Sequence, residues 1–291
     1  MSTLEWFGTA TFRATIGDRV LFFDGYLDRV PGLPPVVLTT DEVDRADFVF
    51  VSHAHFDHLA GVDVIAQRTG ATVVGNPETV RVLRAVGIPD EQLLMATGGE
   101  TVDCGEGISV RVLPALHSCI WADGTDDAGE ACLGDLGVSL QERAGRRATV
   151  LEFFAAQPEP VGGALRELLT RSSIDDGGQL ACHLTTPDGS VLISGSAGYW
   201  SGVFAGLRPD VAVLASGGRP NVDGEPFQGS IAEFFVDEVR ALQPRRVTFC
   251  HHDAVLPGDP DVDPAPIIAA LTEHCPDVAP FTMTYATPVE F

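Results

Sequence analysis

Lysine is absent from this 291-residue chain: all 18 basic residues are arginine, set against 41 aspartates and glutamates, for a net charge of −23. So acidic a surface repels phosphate backbones, whose binding rests on a basic footprint, and this argues against a nucleic-acid partner. Cysteine is sparse and scattered. Cys104, Cys119, Cys132, Cys182, Cys250 and Cys275 show no C-x-x-C spacing, which excludes a cysteine zinc knuckle and argues against a disulfide framework. Cys250 stands next to a histidine pair and is expected near a metal without ligating it. No apolar run reaches the roughly 18 residues that span a bilayer, so no membrane partner is expected. The start, "MSTLEWFGTATF", lacks a basic segment followed by a long apolar one, so it does not read as a secretory signal and a cytoplasmic location is expected. What is plentiful is apolar residues, 45% of the chain with 8% aromatics, enough for a sizeable core and against general disorder.

The apolar pattern alternates between short strands and helices. "TFRATI" and "RVLFFDG", separated by "GD", read as a hairpin. "ADFVFVS" reads as a strand, "LAGVDVIAQRTG" as a helix, "ATVVGN" as a strand and "PETVRVLRAVG" as a helix opened by proline and closed by glycine. "ISVRVLPALHS" is a strand that delivers a histidine at its end. Residues 119–180 break the rhythm with "DGTDDAGE", the mixed-charge "QERAGRR" and a helix within "GGALRELLTR". They read as an insertion, part loop and part helix, able to cover a site like a lid. Regular alternation resumes with the hairpin "LACHLTTPDGSVLISGS", the strand "DVAVLAS", the helix "SIAEFFVDEVRALQ", the strand "RRVTFCHHDA", the helix "APIIAALTEH" and a last short strand. Alternation with hairpins points to mixed sheets covered by helices, and without a Pro/Gly/Ser-rich linker residues 1–291 read as one layered α/β domain.

The chemistry concentrates in "SHAHFDH", residues 52–58, in a chain with only eight histidines. The stretch follows a strand and precedes a helix, the place where open α/β folds keep their sites. His53 and His55, two apart, point the same way if the loop is extended. Asp57 and His58, being adjacent, are expected to point to different sides. Imidazole suits zinc, iron and other borderline metals, and a carboxylate completes a hydrolytic set. A lone histidine is more often a surface or core residue, but three with an aspartate at this density favour a metal.

"HAHFDH" resembles the HxHxDH signature of the metallo-β-lactamase superfamily, and the likeness runs on through most of the chain. "LFFDGY" supplies Asp24 where the family has an aspartate ending an early strand, "LPALHS" supplies His117, and "FCHHDA" supplies His251 or His252. "GNPETVRVL", "GGETVDCGEGISVRVLPALHS" and the late H-x-D element look most like the L-ascorbate-6-phosphate lactonase-like branch. The resemblance implies an αββα sandwich of four layers, two mixed sheets flanked by helices, with the site at one edge between the sheets. It implies one metal on His53, His55 and His117 and a second on Asp57, His58 and a late histidine. His251 is preferred because a bulky residue and then Asp follow it, while strand alternation turns His252 the opposite way. Asp24 is implied to hydrogen-bond near the histidine loop and fix its geometry.

The departure is at "SGSAGY", where Ser196 stands in place of the family's bridging aspartate. A neutral, short hydroxyl is a poor ligand, so one firmly held zinc and a weakened second site are expected, with manganese and iron as alternatives. His183, in an apolar strand, and Asp135, in the insertion, are the candidate substitutes, with a hydrogen-bonded core histidine and a solvated acid as their ordinary roles. The resemblance implies a hydrolase that activates water for attack on a small ester or lactone, Asp57 orienting the water and passing its proton to the leaving group. Tyr199 is a candidate oxyanion donor or a core residue. A phosphodiesterase, or a repurposed non-hydrolytic binding module, is the competing reading; Arg143, Arg146 and Arg147 are the one close arginine cluster able to take an anion, and a solvated loop is their default. The expected partner is a small-molecule substrate, with homo-oligomerisation left open.

Overall fold

The computed structural model describes residues 2–34, 37–122 and 127–291, so positions 123–126 of "DGTDDAGE" lie outside the described residues. The chain begins with three antiparallel strands, β1 (Ser2–Trp6), β2 (Phe12–Ile16) and β3 (Arg19–Phe23). Phe12, Ala14 and Ile16 of β2 are buried while Arg13 and Thr15 alternate outward, the period of a half-buried strand. Gly17, at φ +55°, makes the tight turn of the expected hairpin. β4 (Phe48–Phe50), the one-turn α1 (Phe56–Leu59), α2 (Val62–Thr69), β5 (Thr72–Gly75), α3 (Pro77–Ala85) and β6 (Leu93–Met95) follow. The Asn76 side chain caps α3 by accepting from the Thr79 amide at 2.8 Å, with Pro77 in the first turn.

The second half repeats this plan. β7 (Thr101–Gly105) and β8 (Ile108–Pro114) lead into α4 (Leu140–Ala155) and α5 (Val161–Leu168). β9 (Leu180–Thr185), β10 (Ser190–Ser194), β11 (Gly198–Tyr199), α6 (Ser201–Phe204), β12 (Val211–Ala215), β13 (Asn221–Val222) and β14 (Glu225–Pro226) come next. α7 (Ile231–Leu242), β15 (Arg246–Cys250), α8 (Ala265–His274), β16 (Ala279–Pro280) and β17 (Val289–Glu290) complete the chain. α4 is where the sequence reading fell short, since "QERAGRR" belongs to a 16-residue helix opened by a Ser139–Glu142 capping box.

One sheet has the order β17-β1-β2-β3-β4-β5-β6, the other β16-β15-β12-β10-β9-β8-β7, and β11, β13 and β14 form a small third sheet. In both large sheets an antiparallel run gives way to parallel strands, β3 to β6 in one and β10 to β16 in the other. The central core lies between the sheets, where Phe12, Leu21 and Phe50 meet Val110, Leu184 and Val213. Neighbouring residues turn outward: Phe22, Val49 and Val73 bury against α2 and α3, while Leu192, Leu214 and Phe249 bury against α7 and α8. Four layers result, two mixed sheets inside and helices outside. Deleting a buried phenyl ring from such a core costs about 3–5 kcal/mol. Among the described residues no helix is long and apolar enough to cross a membrane.

Candidate metal centre

The strand directions bring the chemistry to one edge. Asp24 follows β3, "SHAHFDH" follows β4, and His117, Ser196, Gly217 and His251 follow β8, β10, β12 and β15. In each large sheet these strands run the same way, so their carboxyl ends and the loops beyond them meet where the two sheets abut. The histidine loop is latched from both sides: Ala54 donates to Asp176 O at 3.1 Å, and Leu180 donates to Ser52 O at 2.8 Å.

His53, His55 and His117 converge. His53 Nε2 and His55 Nδ1 are 3.0 Å apart, and the three rings stand 4.6 to 4.7 Å from one another, centre to centre. His55 has an extended backbone, φ −66° and ψ 158°, which turns it to the same side as His53. His117 Nδ1 donates to Ser118 O at 2.8 Å, which leaves Nε2 as an acceptor toward the cluster. Burial pushes the His53 imidazole well below the usual histidine range, with the neighbouring imidazoles adding to it. Burial, then the His117 ring, pushes His55 down to about 3, and burial lowers His117. Unprotonated imidazoles offer lone pairs, which is the donor chemistry of a borderline divalent cation.

A second triad adjoins the first. Asp57 Oδ2 lies 3.3 Å from His58 Nε2 and 3.2 Å from His251 Nε2, and the His53 and His58 rings are 3.9 Å apart. In each triad one donor atom per residue lies within 4.8 Å of the others. The expectation that Asp57 and His58 point to different sides is therefore corrected. They sit in the single turn of α1, where successive residues are about 100° apart, and both side chains reach one point. Burial alone would raise the Asp57 carboxyl, but the His58 charge and the His251 contact outweigh it and hold it well below the usual range. Burial likewise disfavours the His58 cation, yet Asp57 and Asp24 raise it to about 10. A metal on His58 would take the place of that proton. The two donor sets fit divalent metal ions.

Behind the triads is a scaffold of short side chains. Asp24, buried and at φ +56°, accepts from the Ser52 amide at 2.7 Å and the Ser52 hydroxyl at 2.8 Å, and pairs with His58 Nδ1 at 2.7 Å. The Ser52 hydroxyl also lies 3.1 Å from His53 Nδ1, so one serine touches both triads' supports. Ser52 stood at the head of the quoted motif without an assigned role. Ser196 is buried at the cavity wall, and its Oγ accepts from the Ser118 amide at 3.0 Å, bracing the His117 loop. Gly217 clears space for His251: a Cβ there would lie 2.7 Å from its Nδ1.

The remaining candidates lie elsewhere. His252 stacks on Trp6 at 4.6 Å, on the face of the turn away from Asp57, because His251 at φ +55° turns the chain between them. Tyr199 packs in the core against Phe204 and Phe234, at 5.5 and 5.7 Å, and is not among the residues lining the cavity. His183 pairs across β9 with Arg111 and Leu192 and joins neither triad. Asp135 is exposed and bound to Arg146 at 2.9 Å. Cys250 is buried, its thiol 3.7 Å from Ser194 O. The arginine cluster is split: Arg143 lies over the Trp121 ring at 4.1 Å, Arg146 binds Asp135, and only Arg147 lines the cavity.

That cavity, about 390 Å³, rises from the triads, with α4 and residues 169–175 as its outer wall. The Beta-lactamase superfamily domain profile matches residues 19–151. Fold and site agree with that profile, and over residues 19–151 the chain is similar to the metallo-β-lactamase superfamily. It is 32% identical over 117 residues to a UPF0173 metal-dependent hydrolase of Pyrobaculum arsenaticum, a match covering 40% of this chain and 50% of that protein. The match thus spans about half the length of that curated relative. Igni18, a metallo hydrolase of Ignicoccus hospitalis, superposes with a TM-score of 0.63 at 18% identity, covering 100% and 99% of the two chains. CmlA, a diiron β-hydroxylase of Streptomyces venezuelae, superposes with a TM-score of 0.57 at 17% identity, covering 100% of this chain and 54% of its own. At such identities the two structures bear on the fold alone.

Proposed function

We propose that this chain is a metal-dependent hydrolase of a small ester or lactone. The observation that carries the reading is the pair of adjoining donor triads at the floor of one cavity, with Asp57 facing both His58 and His251. His53, His55 and His117 would hold one ion, zinc being favoured by an all-imidazole set, with manganese and iron as alternatives. Asp57, His58 and His251 would hold a second, more weakly, since Ser196 supplies no bridging anion. A bound ion supplies a lowered pKa for water and a polarised substrate oxygen. Asp57, ionised and facing the cavity, orients the attacking water and carries its proton toward the leaving group. Asp24 and Ser52 hold the histidines in place, and the apolar cavity wall keeps bulk water from the reacting carbonyl.

A phosphate-bearing substrate, as in the L-ascorbate-6-phosphate lactonase-like branch, is less favoured. Among the described residues the cavity shows one arginine, Arg147, already facing Asp175 at 3.6 Å. The non-hydrolytic alternative is supported by one observation: Ser196 is engaged with the Ser118 amide instead of offering a carboxylate between the triads. The test is elemental analysis of the purified protein together with hydrolysis of a simple lactone and a model phosphodiester, with and without added zinc or manganese. Bound metal with lactone turnover is the expected result. Protein that holds no transition metal, and gains no activity from added metal, overturns the hydrolase reading.

A further inference from the structure

The cavity has two unlike halves. Its floor is polar and carries the triads. Its outer wall is α4, from which the half-buried Arg147, Val150 and Phe154 and the exposed Ala144 and Ala148 border the cavity. Facing α4 are Phe56 and Leu169, with Ile120 and Val255 at the sides. The Arg147 guanidinium is committed at this wall: it donates to Ile174 O at 2.7 Å and lies 3.6 Å from the Asp175 carboxylate, which also borders the cavity. An anionic tail would lose its water here without gaining a free cation among the described residues. A hydrocarbon tail gains about fourfold in affinity for each methylene it buries.

Two small residues one turn apart, the exposed Ala144 and Ala148, border the cavity on the α4 side. Resting on the hydrolase reading above, we propose that the cavity takes the hydrocarbon tail of an uncharged ester or lactone, and that Ala144 and Ala148 set the tail length accepted. Both alanines lie inside the region matched by the family profile, which ends at residue 151, and only residues 152–155 of α4 run past it.

The experiment uses straight-chain 4-nitrophenyl esters from acetate to decanoate on wild type, Ala148→Phe and the milder Ala148→Val. A parallel calorimetric measurement follows the binding of octan-1-ol and octyl phosphate, which are not cleaved as esters of this kind. The wild type is expected to show kcat/KM rising with tail length. In Ala148→Phe the decanoate-to-acetate ratio should fall at least about tenfold, carried by KM, with metal content unchanged. Ala148→Val should fall between them. Octan-1-ol should bind the wild type and lose affinity in Ala148→Phe, and octyl phosphate should bind no better than the alcohol. If no ester is turned over while octan-1-ol still binds in this pattern, the tail site stands and the hydrolase reading falls. If esters are cleaved at rates independent of tail length and octan-1-ol does not bind, the tail site falls and the hydrolase reading stands. Octyl phosphate binding more tightly than the alcohol, or an equal loss on every ester in Ala148→Phe, also overturns the proposal.

Discussion

At the scale of single residues, the site rests on a few short polar side chains behind the ligands. Asp24 holds three contacts at once, to the Ser52 amide, the Ser52 hydroxyl and His58 Nδ1, and a carboxylate in that role sets the ring orientation of a ligating histidine. Asp24→Asn keeps the shape and loses the charge; metal affinity, followed by competition with a chromophoric chelator, should fall about 10–100-fold. Unchanged affinity would mean that Asp24 only shapes the loop. Ser196→Asp places a carboxylate at the cavity wall beside Ser118, and should raise metal stoichiometry by elemental analysis from near one ion toward two. An unchanged count would show that the serine does not stand where the bridging ligand belongs. The clustering of the triad residues was legible because HxHxDH is short and local. Tyr199 was not, since three residues past Ser196 says nothing of side-chain direction, and the aromatic cluster of Phe204 and Phe234 is what draws it inward.

At the scale of elements, α4 is the part the apolar pattern hid. Its half-buried positions, Arg143, Arg147, Val150 and Phe154, mix charged and apolar side chains, its alanines are exposed, and Gly145 lies within it, so no continuous apolar stripe marks it. The signal that was present is its start: Ser139 accepts from the Glu142 amide while Glu142 reaches back to the Ser139 amide. Such a box contributes about 1 kcal/mol to its helix. Ser139→Ala should therefore speed amide hydrogen exchange across α4 by about fivefold, 1 kcal/mol being close to that ratio, while strands of the sandwich exchange as before. Equal protection in the variant would show that α4 is held by the Arg143–Trp121 stacking and the Arg143–Glu225 pair instead. Strands and amphipathic helices were legible in outline because each buries a regular face. β1, β6 and β7 were passed over: β1 follows no turn signal, and two of the three residues of β6 are exposed.

At the scale of the whole molecule, burial of charge sets how stability follows pH. Glu238 of α7 is fully enclosed, and burial raises its carboxyl to about 8, well above the unfolded value of about 4.3. The folded chain therefore holds this proton more tightly than the unfolded chain. Its contribution to stability is fully present below the unfolded pKa and is lost as pH rises toward about 8. Glu238→Gln removes the ionisation, and the difference in Tm between variant and wild type should grow in the variant's favour from mildly acid to mildly alkaline buffer. A constant difference would place the carboxyl in contact with water. Other groups, Asp57 among them, pull the other way, so only the comparison isolates Glu238.

What the sequence by itself determined is the chemistry available: which residues carry imidazole and carboxylate, their order, and the alternation of strands and helices that makes a layered α/β fold. Those are local properties, written in residue type and period. What only the tertiary structure decided is convergence. His117 and His251 lie far from residues 53–58 in the chain, and they join them because parallel strands of two sheets end at one edge. The helical turn of α1 gathers Asp57 and His58 into one triad, the backbone at His251 sends His252 away from it, and α4 folds back over the cavity. Each depends on the direction a backbone takes after its strand ends, which packing of distant segments sets and no local pattern encodes.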